Sequence, residues 1–250
     1  MLVILKTKKE LDKMRYSGYI ASRVLKEIKL AAKPGVTTKY LNDKAEEIIK
    51  QFKAIPAFLN YNNFPSTICA SINEEIIHGL PSNRELVEGD ILSVDTGAIW
   101  EEWYSDTAIT IPIGKISTST ERLVSVTKEC LNKGIEKAVP EGRLGDISNI
   151  IQTHAENNGF SVVKNYGGHG VGRNLHEAPQ LLNYGKAGSG IMLKVGMVIA
   201  IEPMITEKEP DNEITKGGWT VETKDGGLAA HFEHTVAITK DGPEILTERN

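Results

Sequence analysis

One order of elements occurs twice along this chain, and it restricts the fold more than any other feature. Thr7-Lys8-Lys9-Glu10 has the form of a capping box, and Leu11, Met14, Gly18, Ala21, Leu25 and Ile28 follow at helical spacing to about Ala32. Pro34-Gly35 stops that helix, and Thr37 or Thr38 caps a second one through Leu41, Ala45, Ile48, Ile49 and Phe52. Short β-type runs follow at 67–72, 91–99 and 104–111, separated by Asn, Gly and Pro. The order then recurs. Thr118-Ser119-Thr120-Glu121 reads as another capping box, before Leu123, Val126, Cys130, Leu131 and Ile135. Pro140-Glu141-Gly142 breaks the helix, and a further one carries Ile147, Ile150, Ile151 and Ala155. Strand-like runs return at 197–202 and 229–239. Pro34 and Pro140 lie 106 residues apart, Gly35 and Gly142 107, with little identity between the segments they join. The pattern predicts an α/β (α+β) fold of two related halves, about 7–113 and 118–239, fused into a single domain over 1–250. A seam between such halves is a natural cleft.

Composition narrows the function classes. The chain has 250 residues, 40% of them hydrophobic and 25% charged, which is ordinary for a globular protein. Its formal charge of −4, from 29 basic and 33 acidic residues, lacks the basic excess of a nucleic-acid module, so no direct nucleic-acid recognition is expected. No apolar run approaches the roughly 20 residues of a membrane helix. The short apolar stretch Met1–Leu5 precedes its lysines, the reverse of a secretory signal, so a cytoplasmic chain is expected. Lys6, Lys8 and Lys9 read as a solvated helix start. Cys69 and Cys130 permit one disulfide, but two cysteines without a CxxC fit a reduced enzyme better.

Four acidic residues stand in β-type segments. Asp95 and Asp106 flank Trp100-Glu101-Glu102, and a hairpin centred on residues 100 and 101 sets them directly opposite each other. Their neighbours Ile91, Leu92, Val94, Ile109 and Ile111 are those of a sheet interior. Two opposed buried carboxylates require a shared proton or a cation between them; a shift of the turn, or a solvent-facing edge, would separate them instead. Glu202 ends the apolar run Met197–Ile201, and Glu233 lies inside 229–237. Neither run holds a Lys or Arg partner, and a buried glutamate is rare unless paired. Taken singly, each is compatible with an edge position facing water.

His169 sits in Gly167-Gly168-His169-Gly170-Val171-Gly172, which fails the dinucleotide spacing but supplies tight turns able to present a ring to a cavity. His176-Glu177 does not begin an HExxH motif, because Gln180 stands where the second His belongs. His78 lies in the turn-like His78-Gly79-Leu80-Pro81. His154, in a helix without an acidic or glycine-rich setting, reads as structural. There is no G-x-S-x-G elbow, and Cys69 in an apolar run suits a buried packing thiol.

Together these residues resemble the methionine aminopeptidases. The matching words are Ser71-Ile72-Asn73-Glu74 with His78-Gly79, Ser93-Val94-Asp95, Ser105-Asp106-Thr107, Gly168-His169-Gly170-Val171-Gly172-Arg173, His176-Glu177-Ala178-Pro179-Gln180, Ile201-Glu202-Pro203 and Phe232-Glu233-His234-Thr235. The likeness runs from about Lys6 to Glu244, and the joint order of the words is highly specific. It implies the pita-bread fold, with antiparallel sheet from two pseudo-symmetric halves around a central dinuclear metal site. Glu202 and Glu233 are 31 residues apart, too close for the helical insertion of type II enzymes, and nothing before Lys6 matches a zinc-binding extension. The resemblance is therefore to a minimal, bacterial-style type I enzyme.

By that resemblance Asp106 and Glu233 bridge two divalent ions (Co, Mn, Fe(II) or Zn), Asp95 chelates one, and His169 and Glu202 complete the other. The ions activate a water for attack on the first peptide bond. Glu202 also shuttles a proton, His176 donates to the carbonyl or oxyanion, and His78 donates near the scissile amide. The methionine pocket is implied to be walled by Phe58, Tyr61, Phe64, Cys69 and Trp219. Leu175 stands where the family usually carries Phe, at the pocket edge. His231 stands where Gln is common, placed to fix the Glu233 carboxylate. The implied substrate is the N-terminal Met of nascent polypeptides, with the ribosome as a partner and a monomeric enzyme. Two other readings share the scaffold: an X-Pro peptidase, and a metal-free binding protein, which would be expected to have lost ligands.

Overall fold

The computed structural model describes residues 2–249. Helix α1 (Lys8–Ala31) and helix α2 (Thr38–Gln51) precede strands β1 (Ile55–Pro56), β2 (Ile68–Ile72), β3 (Glu75–Ile77), β4 (Ile91–Trp100) and β5 (Trp103–Pro112). The second half begins with α3 (Thr118–Glu136) and α4 (Leu144–Asn157). It continues through β6 (Ser161–Val162), β7 (Gly167–Gly170), β8 (Glu177–Leu182), β9 (Val198–Ile201) and β10 (Met204–Thr206). It ends with β11 (Asn212–Ile214), β12 (Val221–Thr223), β13 (Ala229–His231), β14 (His234–Thr239) and β15 (Gly242–Ile245).

The repeated helix pairs are present. At the start of α1 the Glu10 carboxylate accepts from the Thr7 backbone N–H at 2.8 Å, the reach-back bond of a capping box, and also from the Thr7 hydroxyl at 2.8 Å. Thr37 rather than Thr38 caps α2, accepting from the Tyr40 N–H. The expected box at Thr118 is replaced by a single cap one residue earlier. Ser117 caps α3 by accepting from the Thr120 N–H, because its extended backbone lets the short hydroxyl reach back over the first turn.

Every strand pairing among the described residues is antiparallel. One sheet pairs β4 with β5 along one edge and with β1 and β2 along the other. The second-half sheet runs β15-β14-β9-β7-β8, and smaller sheets join β13-β10-β6 and β11-β12-β3. Helix α1 packs on β4 and β5, while α3 packs on β9, β10 and β13. A continuous apolar core passes through both halves, from Ile20, Leu25 and Leu41 to Leu123, Ile151, Ile199 and Val236.

The central hairpin differs from its expected register. Trp100 pairs with Trp103, leaving Glu101 and Glu102 as a two-residue turn with φ of 46° and 71°. Gly97 therefore faces Asp106 and Asp95 faces Ala108, so the two aspartates are diagonal rather than directly opposed. The displacement is two residues, a full side-chain period, so both stay on one face of the sheet. A Glu-Glu pair in left-handed conformation carries no sequence signal comparable to Asn-Gly. Gly97 has its own requirement: a Cβ there would lie 2.8 Å from the Ala57 Cβ and 3.2 Å from the Phe58 ring.

The run 229–239 is also not one strand. It divides into β13 and β14, which belong to different sheets, with Phe232 and Glu233 in the break. The break turns the backbone so that Glu233 pairs with Ala108, its N–H donating at 2.9 Å.

Gly18 lets α1 lie against the C-terminal segment, since a Cβ would come within 2.1 Å of the Leu246 carbonyl oxygen. Gly18→Ala gains about 1 kcal/mol of helix propensity. Forcing helix and backbone apart costs about 1–3 kcal/mol. We expect a net loss of unfolding free energy in urea titration; a stabilised variant would show that this contact is not close.

Candidate metal centre and active site

The central residues come from five segments. Asp95 lies on β4, Asp106 on β5, His169 on β7, Glu202 just after β9, and Glu233 in the β13–β14 break. Ligand atoms of Asp106, His169 and Glu233 all lie within 4.8 Å of one another. His169 Nε2 is 3.7 Å from Asp106 Oδ2 and 3.5 Å from Glu202 Oε1. Asp106, His169 and Glu233 are each less than a tenth exposed.

Short backbone distances bring these elements together. A Cβ on Gly168 would sit 2.1 Å from the Ala200 carbonyl oxygen of β9, so glycine is required beside His169. Across the seam Thr235 Oγ1 accepts from the Asp106 N–H at 3.0 Å and donates to the Asp106 carbonyl at 2.7 Å. Thr107 Oγ1 donates to the Glu233 carbonyl at 2.8 Å. Arg249 Nη2 donates to Thr107 Oγ1 and to the carbonyls of Ala108 and Glu233 at 2.6–2.8 Å.

The electrostatics call for a cation. Burial, reinforced by neighbouring carboxylates, pushes Asp106 and Glu233 well above the usual carboxylate range. Burial also raises Asp95 to about 7 and Glu202 to about 8. Asp95 Oδ1, Asp106 Oδ1 and Glu233 Oε1 are buried with no hydrogen-bond donor. Such acceptors are costly in an apolar surround unless a proton or a metal meets them. His169 Nδ1 donates to the Gly170 carbonyl at 2.9 Å, since a carbonyl only accepts, and this leaves Nε2 with its lone pair toward the carboxylates. Burial depresses His169 to about 3, so the ring is neutral at pH 7. Three carboxylates with unpartnered oxygens, the adjacent Glu202 and one lone-pair nitrogen fit a divalent metal.

Beside this cluster is a cavity of about 170 Å³. Its apolar side is formed by Phe58, Phe64, Cys69 and Leu175, with Tyr61 and Trp219 packed against them. Phe64 and Trp219 meet edge to face, with centroids 5.1 Å apart. His78 and His176 line the same cavity. His78 has φ of +58°, which aims its ring inward, and burial with nearby His176 lowers it to about 4. Tyr61 Oη lies 2.8 Å from His176 Nδ1, and burial lowers His176 as well. Cys69 is buried and its thiol is pushed well up by burial and by Asp95 and Asp106. It and Cys130 are both free.

All the sequence-derived site residues therefore meet at one place, with three adjustments. His231 Nε2 approaches Glu202 Oε2 at 3.7 Å, not the Glu233 carboxylate, because β13 pairs with β10 and turns the ring toward that side. His154 does have an acidic partner, Glu129 at 2.9 Å, on the adjacent helix. Lys6 is buried and paired with Glu177 at 2.7 Å rather than solvated, while Lys8 and Lys9 are exposed. Asn62, which also lines the cavity, was not singled out from sequence, and its only signal is its place between Tyr61 and Phe64. Arg249 likewise has no local motif.

This fold and this site define a metal-dependent hydrolase of the pita-bread type. The model of metallopeptidase family M24 matches residues 12–240, and the chain belongs to that family. It is 50% identical to the methionine aminopeptidase of Clostridium acetobutylicum over 247 residues, covering 98% of this chain and 99% of that protein. The solved methionine aminopeptidase of Thermotoga maritima superposes with a TM-score of 0.98 at 43% identity, covering 99% of this chain and all of that one. A prolidase from Pyrococcus furiosus is also similar, with a TM-score of 0.82 and 25% identity over 99% of this chain and 66% of that one. No helix of the described residues is long and apolar enough to cross a membrane.

The raised carboxylates give the metal-free chain a signed pH dependence. Between pH 6.5 and 8 the unfolded chain has lost its carboxyl protons, while folded Asp95, Asp106, Glu202 and Glu233 still hold some. The depressed histidines oppose this trend in the lower part of the window, where their unfolded forms are partly protonated. Their effect fades by about pH 7.5 and involves fewer protons than the raised carboxylates hold. The folded state thus binds more protons in this window, and its stability falls as pH rises. We expect the Tm of chelator-treated protein to fall from pH 6.5 to 8 and a divalent metal to abolish the slope. A Tm that rises over this window would contradict the buried cluster.

Proposed function

We propose that this chain is a methionyl aminopeptidase that hydrolyses the first peptide bond of polypeptides and releases N-terminal methionine. The observation that carries this reading is the narrow apolar cavity opening onto the buried carboxylate–histidine cluster. Relatives named methionine aminopeptidase, 42–50% identical over nearly the whole chain, support it. Asp95, Asp106, His169, Glu202 and Glu233 would hold two divalent ions, drawn from Co, Mn, Fe(II) or Zn. When bound, the metal supplies Lewis-acid polarisation and an activated water.

The remaining work falls to the chain's own groups. Phe58, Tyr61, Phe64, Cys69, Leu175 and Trp219 take up the unbranched thioether and exclude water. Neutral imidazoles suit His78 and His176 for hydrogen bonds to the scissile amide and its carbonyl. Glu202 as carboxylate takes up the water's proton and passes it to the departing amine. We further propose that the 250 residues act as one catalytic unit, which the core shared by both halves supports. The enzyme works as a cytoplasmic monomer on nascent chains near the ribosome, without direct nucleic-acid recognition.

An X-Pro peptidase is the competing reading, since prolidases share the fold. Met-Gly-Met assayed beside an X-Pro dipeptide separates the two, and we expect faster methionine release. Faster X-Pro cleavage would reject the assignment. Asp106→Asn and Glu233→Gln each remove a charge from the centre. The expected loss in kcat/KM is about 10²–10³-fold, equivalent to several kcal/mol of transition-state stabilisation. Near-wild-type kcat/KM in either variant would reject the ligand set.

A further inference from the structure

We propose that Lys6 and Glu177 form a positioning pair that holds His176 against the catalytic cavity, making the N-terminal segment part of the active site. This inference rests on the aminopeptidase reading of that site. The Lys6 ammonium lies 2.7 Å from Glu177 Oε2, and the two side chains are only 2% and 6% exposed. Lys6 is anchored from its own side, with Nζ donating to the Ile4 carbonyl and its backbone N–H to the Gly196 carbonyl. The other Glu177 oxygen accepts from the backbone N–H groups of Arg173 and Asn174 at 2.8 and 3.2 Å. A Cβ on Gly172 would meet this carboxylate at 2.4 Å, so the loop is closed tightly around it. The carboxylate thus fixes the turn that leads into His176, and Lys6 fixes the carboxylate.

Among the described residues no other cation takes the place of Lys6. The Arg173 guanidinium turns away, 2.7 Å from Glu102 and over the Trp103 ring. Removing the ammonium would leave a buried carboxylate without its counter-charge, and it would move toward water and carry the loop with it. His176 is the group exposed to that movement. Its ring lies 4.1 Å from that of His169 and bonds Tyr61 through Nδ1. Val3 of the same N-terminal segment lines a groove with His169, His176 and Glu177.

The test is a double-mutant cycle. Lys6→Met and Glu177→Gln are made alone and in a His176→Ala background, loaded with Mn, and assayed on Met-Ala-Ser. Bound metal is counted and folding is followed by circular dichroism. The unmodified enzyme on the same peptide tests the aminopeptidase reading separately. We expect folded single variants with unchanged metal content, KM within about threefold and kcat lowered by about 10²-fold, the size of a roughly 1 Å misplacement. In the His176→Ala background the same substitutions should lower kcat no further. Losses that multiply with that of His176→Ala, or an unchanged kcat in either folded single variant, would overturn the proposal. So would unfolding of both single variants, which would assign the pair to stability alone.

Discussion

The hydrogen-bonded seam between β5 and the segment 231–235 is the constraint on which the rest of this structure depends. Thr110 exchanges hydrogen bonds with the His231 backbone, Ala108 with Glu233, and Asp106 with Thr235. Each bond contributes only about 1 kcal/mol net. Together they join the two halves and fix the backbone of Asp106 and Glu233 side by side. The carboxylates cannot separate without breaking the seam, and burial prevents water from screening them. What remains to relieve their repulsion is protonation or a cation.

That geometry turns four acidic residues into a strong ligand set. In an open loop they would spread and hydrate at little cost. Here the Asp95, Asp106 and Glu233 oxygens without donors are held on elements that have no freedom to spread. Metal binding and the stability of the fold are therefore linked, because the cation removes a repulsion that the folded state alone contains. The neutral His169 ring contributes without adding charge, and its tautomer is set by one carbonyl, that of Gly170.

The ends of the chain take part in the same arrangement. Lys6 enters the interior beside the His176 loop, and Arg249 spans the carbonyls behind Asp106 and Glu233. Both are cations in an otherwise acidic region. Neither points at the ligand oxygens; each instead holds backbone that carries a site residue. The acidic centre is thus supported from outside by positive charge, while its inner face is left to the metal.

The twice-repeated helix pair was legible because helical spacing, caps and Pro/Gly breaks are local. The ligand set was legible because charged residues inside apolar runs are conspicuous, and because their joint order resembles one family. The turn at Glu101-Glu102 was not legible, since no residue there prefers a positive φ. The division of 229–239 was equally hidden, because both strands share one apolar pattern. Lys6 looked like any lysine at a helix start, and its burial follows from Glu177, 171 residues away. The sequence by itself determined which residue types could form a metal centre and on which kinds of element they lie. Only the tertiary structure decided the hairpin register, the partner of His231 and the anchoring of the His176 loop. These depend on contacts between segments far apart in the chain, where no local preference chooses between alternatives.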